Sequence, residues 1–99
     1  MAKYDVYPAP GGKGYVIDVQ ADLLDGLNTR VVVPVLPLAQ APAPADRLNP
    51  VFSINGESHV MATQYLAAVP MSVLGKPVVN LADRFDEITN ALDMVFVGF

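Results

Sequence analysis

Apolar positions along this chain keep two rhythms, and the change falls at Leu81. Before it come short segments that either alternate with polar residues or run apolar without a break. Alternation marks a strand with one buried face; an unbroken β-branched run marks a strand buried on both. Tyr4 and Val6 alternate with Lys3, Asp5 and Tyr7, and Tyr15-Val16-Ile17-Asp18-Val19 forms a second strand. Arg30-Val31-Val32-Val33-Pro34-Val35 reads as a central strand. Pro34 lacks an N–H and is expected to end that strand or sit at a bulge. Val51-Phe52-Ser53-Ile54 and Ser58-His59-Val60-Met61 flank Asn55-Gly56-Glu57, a hairpin signal. A short strand around Val69 and the stretch Met71-Ser72-Val73-Leu74 lead to the last element.

From Leu81 onward, Leu81, Phe85, Ile88, Leu92, Val95, Phe96 and Phe99 recur at spacings of three and four. That is one stripe of an α-helix, with Asn80 or Asp83 as candidate cap and Asp86 and Glu87 suited to its dipole. Met94 and Val97 lie off the stripe, so the helix end is apolar nearly all round. Such a helix needs cover on more than one side, which points to a second copy of the chain or a partner. Short antiparallel strands followed by one helix predict an α+β, mainly β, barrel or sheet with the helix against it.

The connections add detail. Pro8 to Gly14 is turn material, and Gly11-Gly12-Lys13-Gly14 is a hairpin turn, since a phosphate loop needs wider glycine spacing and a following helix. Residues 37–50, rich in Pro and Ala, predict a partly extended, mobile surface loop. Asp22 to Asn28 predicts one helical turn carrying the adjacent pair Leu23-Leu24. Two neighbours on a short loop cannot both turn inward, so at least one is expected on the surface, as a recognition patch or as a plug over the barrel end.

With 53% hydrophobic and 16% charged residues over 99 positions, residues 1–99 read as one domain with a sticky surface. The formal charge of −4 argues against direct nucleic-acid binding. No cysteine, no signal-peptide core and no membrane-length apolar run fit a cytoplasmic protein away from the membrane. A metal site is not expected, because His59 is the only histidine; it reads as a surface strand residue. Asp18, Asp22 and Asp25 read as solvated turn carboxylates.

Four stretches, in order, resemble the CcdB family of toxins from toxin–antitoxin modules. They are Ile17-Asp18-Val19-Gln20-Ala21-Asp22-Leu23-Leu24-Asp25, Thr29-Arg30-Val31-Val32-Val33-Pro34, Ala68-Val69-Pro70-Met71-Ser72-Val73-Leu74-Gly75, and the helix from Asp86 to Phe99. The resemblance implies an SH3-like barrel of antiparallel strands with one C-terminal helix, assembled as a homodimer. It implies a plasmid-maintenance toxin that binds the DNA gyrase A subunit, traps the cleaved gyrase–DNA complex, and is neutralised by a CcdA-like antitoxin. It further implies no cofactor and no catalysis: the chain is expected not to be an enzyme. By position, the gyrase-facing residues it implies are Leu23, Leu24, Asn90, Asp93, Val97, Gly98 and Phe99. Val97 departs from the family pattern, which has a tryptophan there that packs on a gyrase arginine. Two other functions compete: a MazF- or Kid-like endoribonuclease using Arg30, His59 or Thr63, and a non-toxic homologue that sequesters antitoxin.

Overall fold

A computed structural model describes residues 2–41 and 43–98. Its strands are β1 (Asp5–Pro8), β2 (Tyr15–Asp18), β3 (Thr29–Pro37), β4 (Val51–Ile54), β5 (Glu57–Met61), β6 (Ala67–Pro70) and β7 (Val79–Asn80), and its helix is α1 (Phe85–Phe96). The sheet order is β4-β5-β3-β2-β1-β7, with β6 on β3, and every pairing is antiparallel. The result is a nearly closed barrel with the C-terminal helix packed on it, the fold class expected from the sequence.

Strand β3 is the axis of this arrangement. On one side it pairs with β2; on the other, Thr29–Val32 pair with β6 and Val35–Pro37 with β5. Pro34 does not end the strand, contrary to expectation. Its carbonyl accepts from Ala62 N–H at 2.8 Å, at the point where the partner changes from β6 to β5. The N–H it lacks would point to the same edge as that carbonyl, so no ladder bond is lost.

Both faces of the central strands are covered. Val6, Ile17, Val33, Val35, Phe52, Ile54 and Met61 pack with Leu81, Ile88 and Ala91 beneath the helix. Tyr7, Val16, Val32 and Leu74 form a second cluster on the far side. Tyr7, expected on the polar side of its strand, is thereby buried. The β4–β5 hairpin turns at Asn55 and Gly56, whose φ angles are 53° and 80°; two positive values in succession are what a type I′ turn requires. Strand β7 left no periodic signal in its two residues.

The helix starts one turn later than its stripe suggests, after a 3₁₀ turn at Ala82–Arg84. Asn80, just ahead of that turn, accepts through Oδ1 from Ala82 N–H at 2.8 Å, but the helix itself begins after Arg84 with no side-chain cap, so neither Asn80 nor Asp83 caps it. Only Leu81, Ile88 and Ala91 of this region are buried, with Leu92 packed against them. Phe85, Val95 and Phe96 of the expected stripe stay exposed, because the barrel contacts a narrower strip of helix than the apolar residues cover.

Candidate functional site

The stretch after β2 is shaped from behind by buried polar groups. A 3₁₀ turn at Asp22–Leu24 closes through Leu24 N–H to Ala21 O at 2.9 Å and Asp25 N–H to Asp22 O at 3.1 Å. Gln20, itself buried, spans the gap between turn and barrel: its amide donates to Leu24 O at 3.1 Å and accepts from Val31 N–H at 3.0 Å. Lys3 N–H donates to Asp22 Oδ1 at 2.8 Å. Leu23 is left 94% exposed and Leu24 47%. The surface patch anticipated for this pair is present, and neither residue plugs the barrel.

Asp18 and Arg30 lie directly behind the turn. Asp18 is fully buried rather than solvated, which corrects the reading of it as a turn carboxylate. It closes strand β2, whose register with β3 brings it beside Arg30, and it ends up inside because both faces of these strands are covered. Its Oδ1 accepts from Gln20 N–H at 2.9 Å and its Oδ2 from Arg30 Nε at 2.8 Å. Arg30 Nη1 reaches Asp25 at 3.3 Å on the turn. Arg30 Nη2 comes within 2.6 Å of Asp18 Oδ2 but off its N–H axis, and is a buried donor without a hydrogen-bond partner among the described residues. Burial pushes the Asp18 carboxyl above its ordinary range, against the pull of the Gln20 N–H and the Arg30 guanidinium. Burial and the carboxylates of Asp5 and Asp18 push the neighbouring Tyr7 phenol up to about 12.

A second exposed apolar area ends the helix. Phe96 is 70% and Val97 56% exposed, with Val95 and Phe85 exposed alongside. The helix closes on Asp93 O, which accepts from Val97 N–H at 2.7 Å and Gly98 N–H at 3.0 Å. Gly98 takes φ 91°, the left-handed conformation that lets the chain leave the helix. Asp93, Val97 and Gly98 therefore share this tip. Asn90 lies a turn back and lines a cavity of about 520 Å³ with Pro44, Arg47, Asn49 and Glu87. Phe99 falls outside the described residues. Among the described residues no hydrogen bond joins the Leu23–Leu24 turn to the helix tip; the turn is held by β2 and β3, the helix by the barrel beneath it.

Sequence reasoning missed Asp18, Gln20 and Arg30 as the groups that position the turn. A usable signal existed: a charged residue opening a strand read as buried on both faces requires an opposite charge, and Asp18 on the preceding strand is a nearby carboxylate. His59 was also misread. It is 3% exposed, because Tyr15 packs edge-on against its ring at 5.1 Å and Pro37 pairs with it across β3–β5. Arg30, His59 and Thr63 are all buried, and no hydrogen bond links any two of them. Among the described residues, no group of three His, Cys, Asp or Glu is placed to hold a metal ion, and no helix is long and apolar enough to cross a membrane.

Residues 3–98 match the CcdB protein family. The chain belongs to the CcdB family. It is accordingly a toxin of the toxin–antitoxin type, with an antitoxin as partner. The fold is also that of solved toxins of low sequence identity. The Mycobacterium tuberculosis toxin MazF-mt6 is 15% identical, with 93% of this chain and 95% of that one covered and a TM-score of 0.75. An endoribonuclease in complex with its cognate antitoxin, from a mycobacterial species, is 14% identical over 97% and 94% of the two chains, also at 0.75. A further Mycobacterium tuberculosis toxin gives 14% identity, 95% and 99% coverage, and a TM-score of 0.63.

These likenesses correct one expectation. The CcdB resemblance implied a chain that is not an enzyme, yet the neighbours in structure include an endoribonuclease. One barrel with one helix thus serves as the scaffold of a catalyst, and lack of catalysis does not follow from this architecture. A fold fixes where side chains can stand and leaves open which chemistry they perform.

Proposed function

We propose that this CcdB-family chain is a toxin that acts as a homodimer on the gyrase A subunit, trapping the cleaved gyrase–DNA complex until an antitoxin displaces it. The observation that carries this reading is the outward-facing Leu23, 94% exposed on a turn clamped by buried side chains. A large apolar side chain held rigidly in water binds a partner with little further loss of entropy. The exposed helix end supplies the second contact area and the face through which two copies meet. Leu23, Leu24, Asn90, Asp93, Val97, Gly98 and Phe99 are the gyrase-facing residues under this reading.

Calorimetric titration against the gyrase A dimerisation domain tests it, with Gly98→Arg as control. No atom lies within 4 Å of a Cβ added at Gly98, so the strain that a side chain meets at its φ of 91° stays at the helix tip and leaves the core in place. Saturable binding that the variant loses supports the proposal. A folded protein that binds no gyrase overturns it.

A second reading, RNA cleavage, is favoured by the TM-score of 0.75 to an endoribonuclease. Incubation of the purified chain with RNA tests it, and products that persist in His59→Gln and Arg30→Ala alike would exclude those side chains from the cleavage.

A further inference from the structure

The β1–β2 turn, the end of β3 and the β4–β5 hairpin enclose a cleft of about 350 Å³. Its polar groups are Tyr15, Asn55, Glu57 and His59, and its walls include Pro8, Pro37 and Val78. None of the residues assigned to gyrase lies here.

Hydrogen bonding settles what each group offers. His59 Nδ1 lies 2.9 Å from Glu57 O. A carbonyl only accepts, so Nδ1 carries the proton and the neutral ring keeps its lone pair on Nε2. Nε2 makes no hydrogen bond among the described residues and is not sealed from solvent, though the residue as a whole is only 3% exposed. Asn55 donates through Nδ2 to the Tyr15 hydroxyl at 2.9 Å, which leaves its Oδ1 as a free acceptor. Glu57 is exposed and forms no ion pair among the described residues. The cleft therefore presents a carboxylate, an amide oxygen and an imidazole lone pair beside an aromatic ring, and no lysine or arginine lines it.

We propose that this cleft binds an arginine side chain of a partner peptide, with the guanidinium on Glu57 and His59 Nε2 and its plane against Tyr15. An acceptor-rich, uncompensated site selects a donor-rich cation, and the chain's net charge of −4 draws basic segments toward it. Arginine suits it better than lysine. Its planar fork meets a carboxylate and a ring nitrogen together and stacks on tyrosine, whereas an ammonium is a compact, strongly hydrated charge. The proposal is independent of the gyrase reading, since it uses none of the residues assigned to gyrase.

The test is a titration of the full chain with acetyl-arginine amide, followed by backbone amide chemical shifts. Acetyl-citrulline amide serves as the neutral control. The expected result is saturable shifts confined to Tyr15, Asn55, Glu57 and His59, absent with the citrulline compound. Glu57→Gln should weaken binding about tenfold, the usual scale of one charge-assisted contact, while Asp86→Asn, the same charge change on the helix, should leave it unaltered. Shifts scattered over the acidic surface, equal weakening in both variants, equal response to citrulline, or no shift at all would each overturn the proposal. So would guanosine monophosphate shifting these amides where the arginine probe does not, which would make the cleft a nucleobase site.

Discussion

Arg30 donates through Nε to Asp18 Oδ2 at 2.8 Å, with both side chains inside the barrel and the backbone of the Leu23–Leu24 turn held in front of them. The pair joins neighbouring strands and extends through Asp25 and Gln20 into the turn itself. A buried ion pair seldom adds much net stability over apolar residues of the same volume, but losing one partner strands a charge in a low dielectric. Its contribution here is geometric: through Asp25 and the Gln20 N–H it ties the turn to β2 and β3.

Single replacement of either partner, Asp18→Leu or Arg30→Met, should each cost about 3–5 kcal/mol in urea denaturation. The double variant should cost clearly less than the sum, since no charge is then left unpaired. Additive losses would mean that the two residues act separately, contrary to the geometry.

Gln20→Ala separates positioning from stability. It removes the amide that spans Leu24 O and Val31 N–H, a loss of about 1 kcal/mol, since the two backbone groups left unpaired are only part-buried. Hydrogen exchange at residues 22–28 should rise well before that of the β2–β3 ladder. If the turn is the partner-binding element, affinity for the partner falls in step; unchanged affinity would remove the turn from the site.

Tyr7 should make stability fall at high pH. Its phenol is raised from 10.0 to about 12 in the fold, so the folded state holds the proton more tightly than the unfolded chain. The contribution is complete below about 10 and is lost as pH rises toward 12, by about 2–3 kcal/mol in all. Tyr7→Phe should remove this part of the alkaline loss while leaving the neutral-pH stability nearly unchanged, because the hydroxyl makes only a 3.5 Å contact with Asp5.

What the sequence made legible divides along physical lines. Strands β2 to β6, the Asn55-Gly56 turn and the apolar helix were readable because each has a local cause, in periodicity, β-branching or a positive φ. Strand β7 was not, being two residues long and held only by its pairing with β1. Tyr7 and His59 were misplaced because alternation assumes one wet face, and here both faces of the central strands are covered. The exposure of Leu23 was readable from two adjacent leucines in a short loop. The clamp of Asp18, Gln20 and Arg30 behind it was legible only in outline: Arg30 in a buried strand calls for a carboxylate, but which one, and the place of Gln20, depend on the β2–β3 register.

Phe96 should matter for assembly and hardly at all for the folded monomer. It is 70% exposed and belongs to neither core cluster. Phe96→Ser should therefore change monomer stability by about 0.5 kcal/mol or less, the range of surface substitutions. Sedimentation equilibrium should show the dimer weakened if two copies meet at this helix end. A variant that stays as dimeric as the parent would place the interface elsewhere.

Val97→Trp is the most direct probe of the gyrase reading. Val97 caps the helix with 56% of its surface exposed, so a larger ring projects into solvent and displaces nothing from the core. Folding stability should shift by no more than about 0.5 kcal/mol. The CcdB resemblance puts an aromatic anchor at this position. Restoring one at the centre of a protein interface is worth about 2 kcal/mol, or about 30-fold in affinity. Calorimetric titration against the gyrase A dimerisation domain should show that gain, and overexpression should arrest growth at lower protein levels than the parent requires. If affinity does not move while the fold and dimer persist, the helix tip does not face gyrase. The exposed apolar residues there would then serve dimerisation alone.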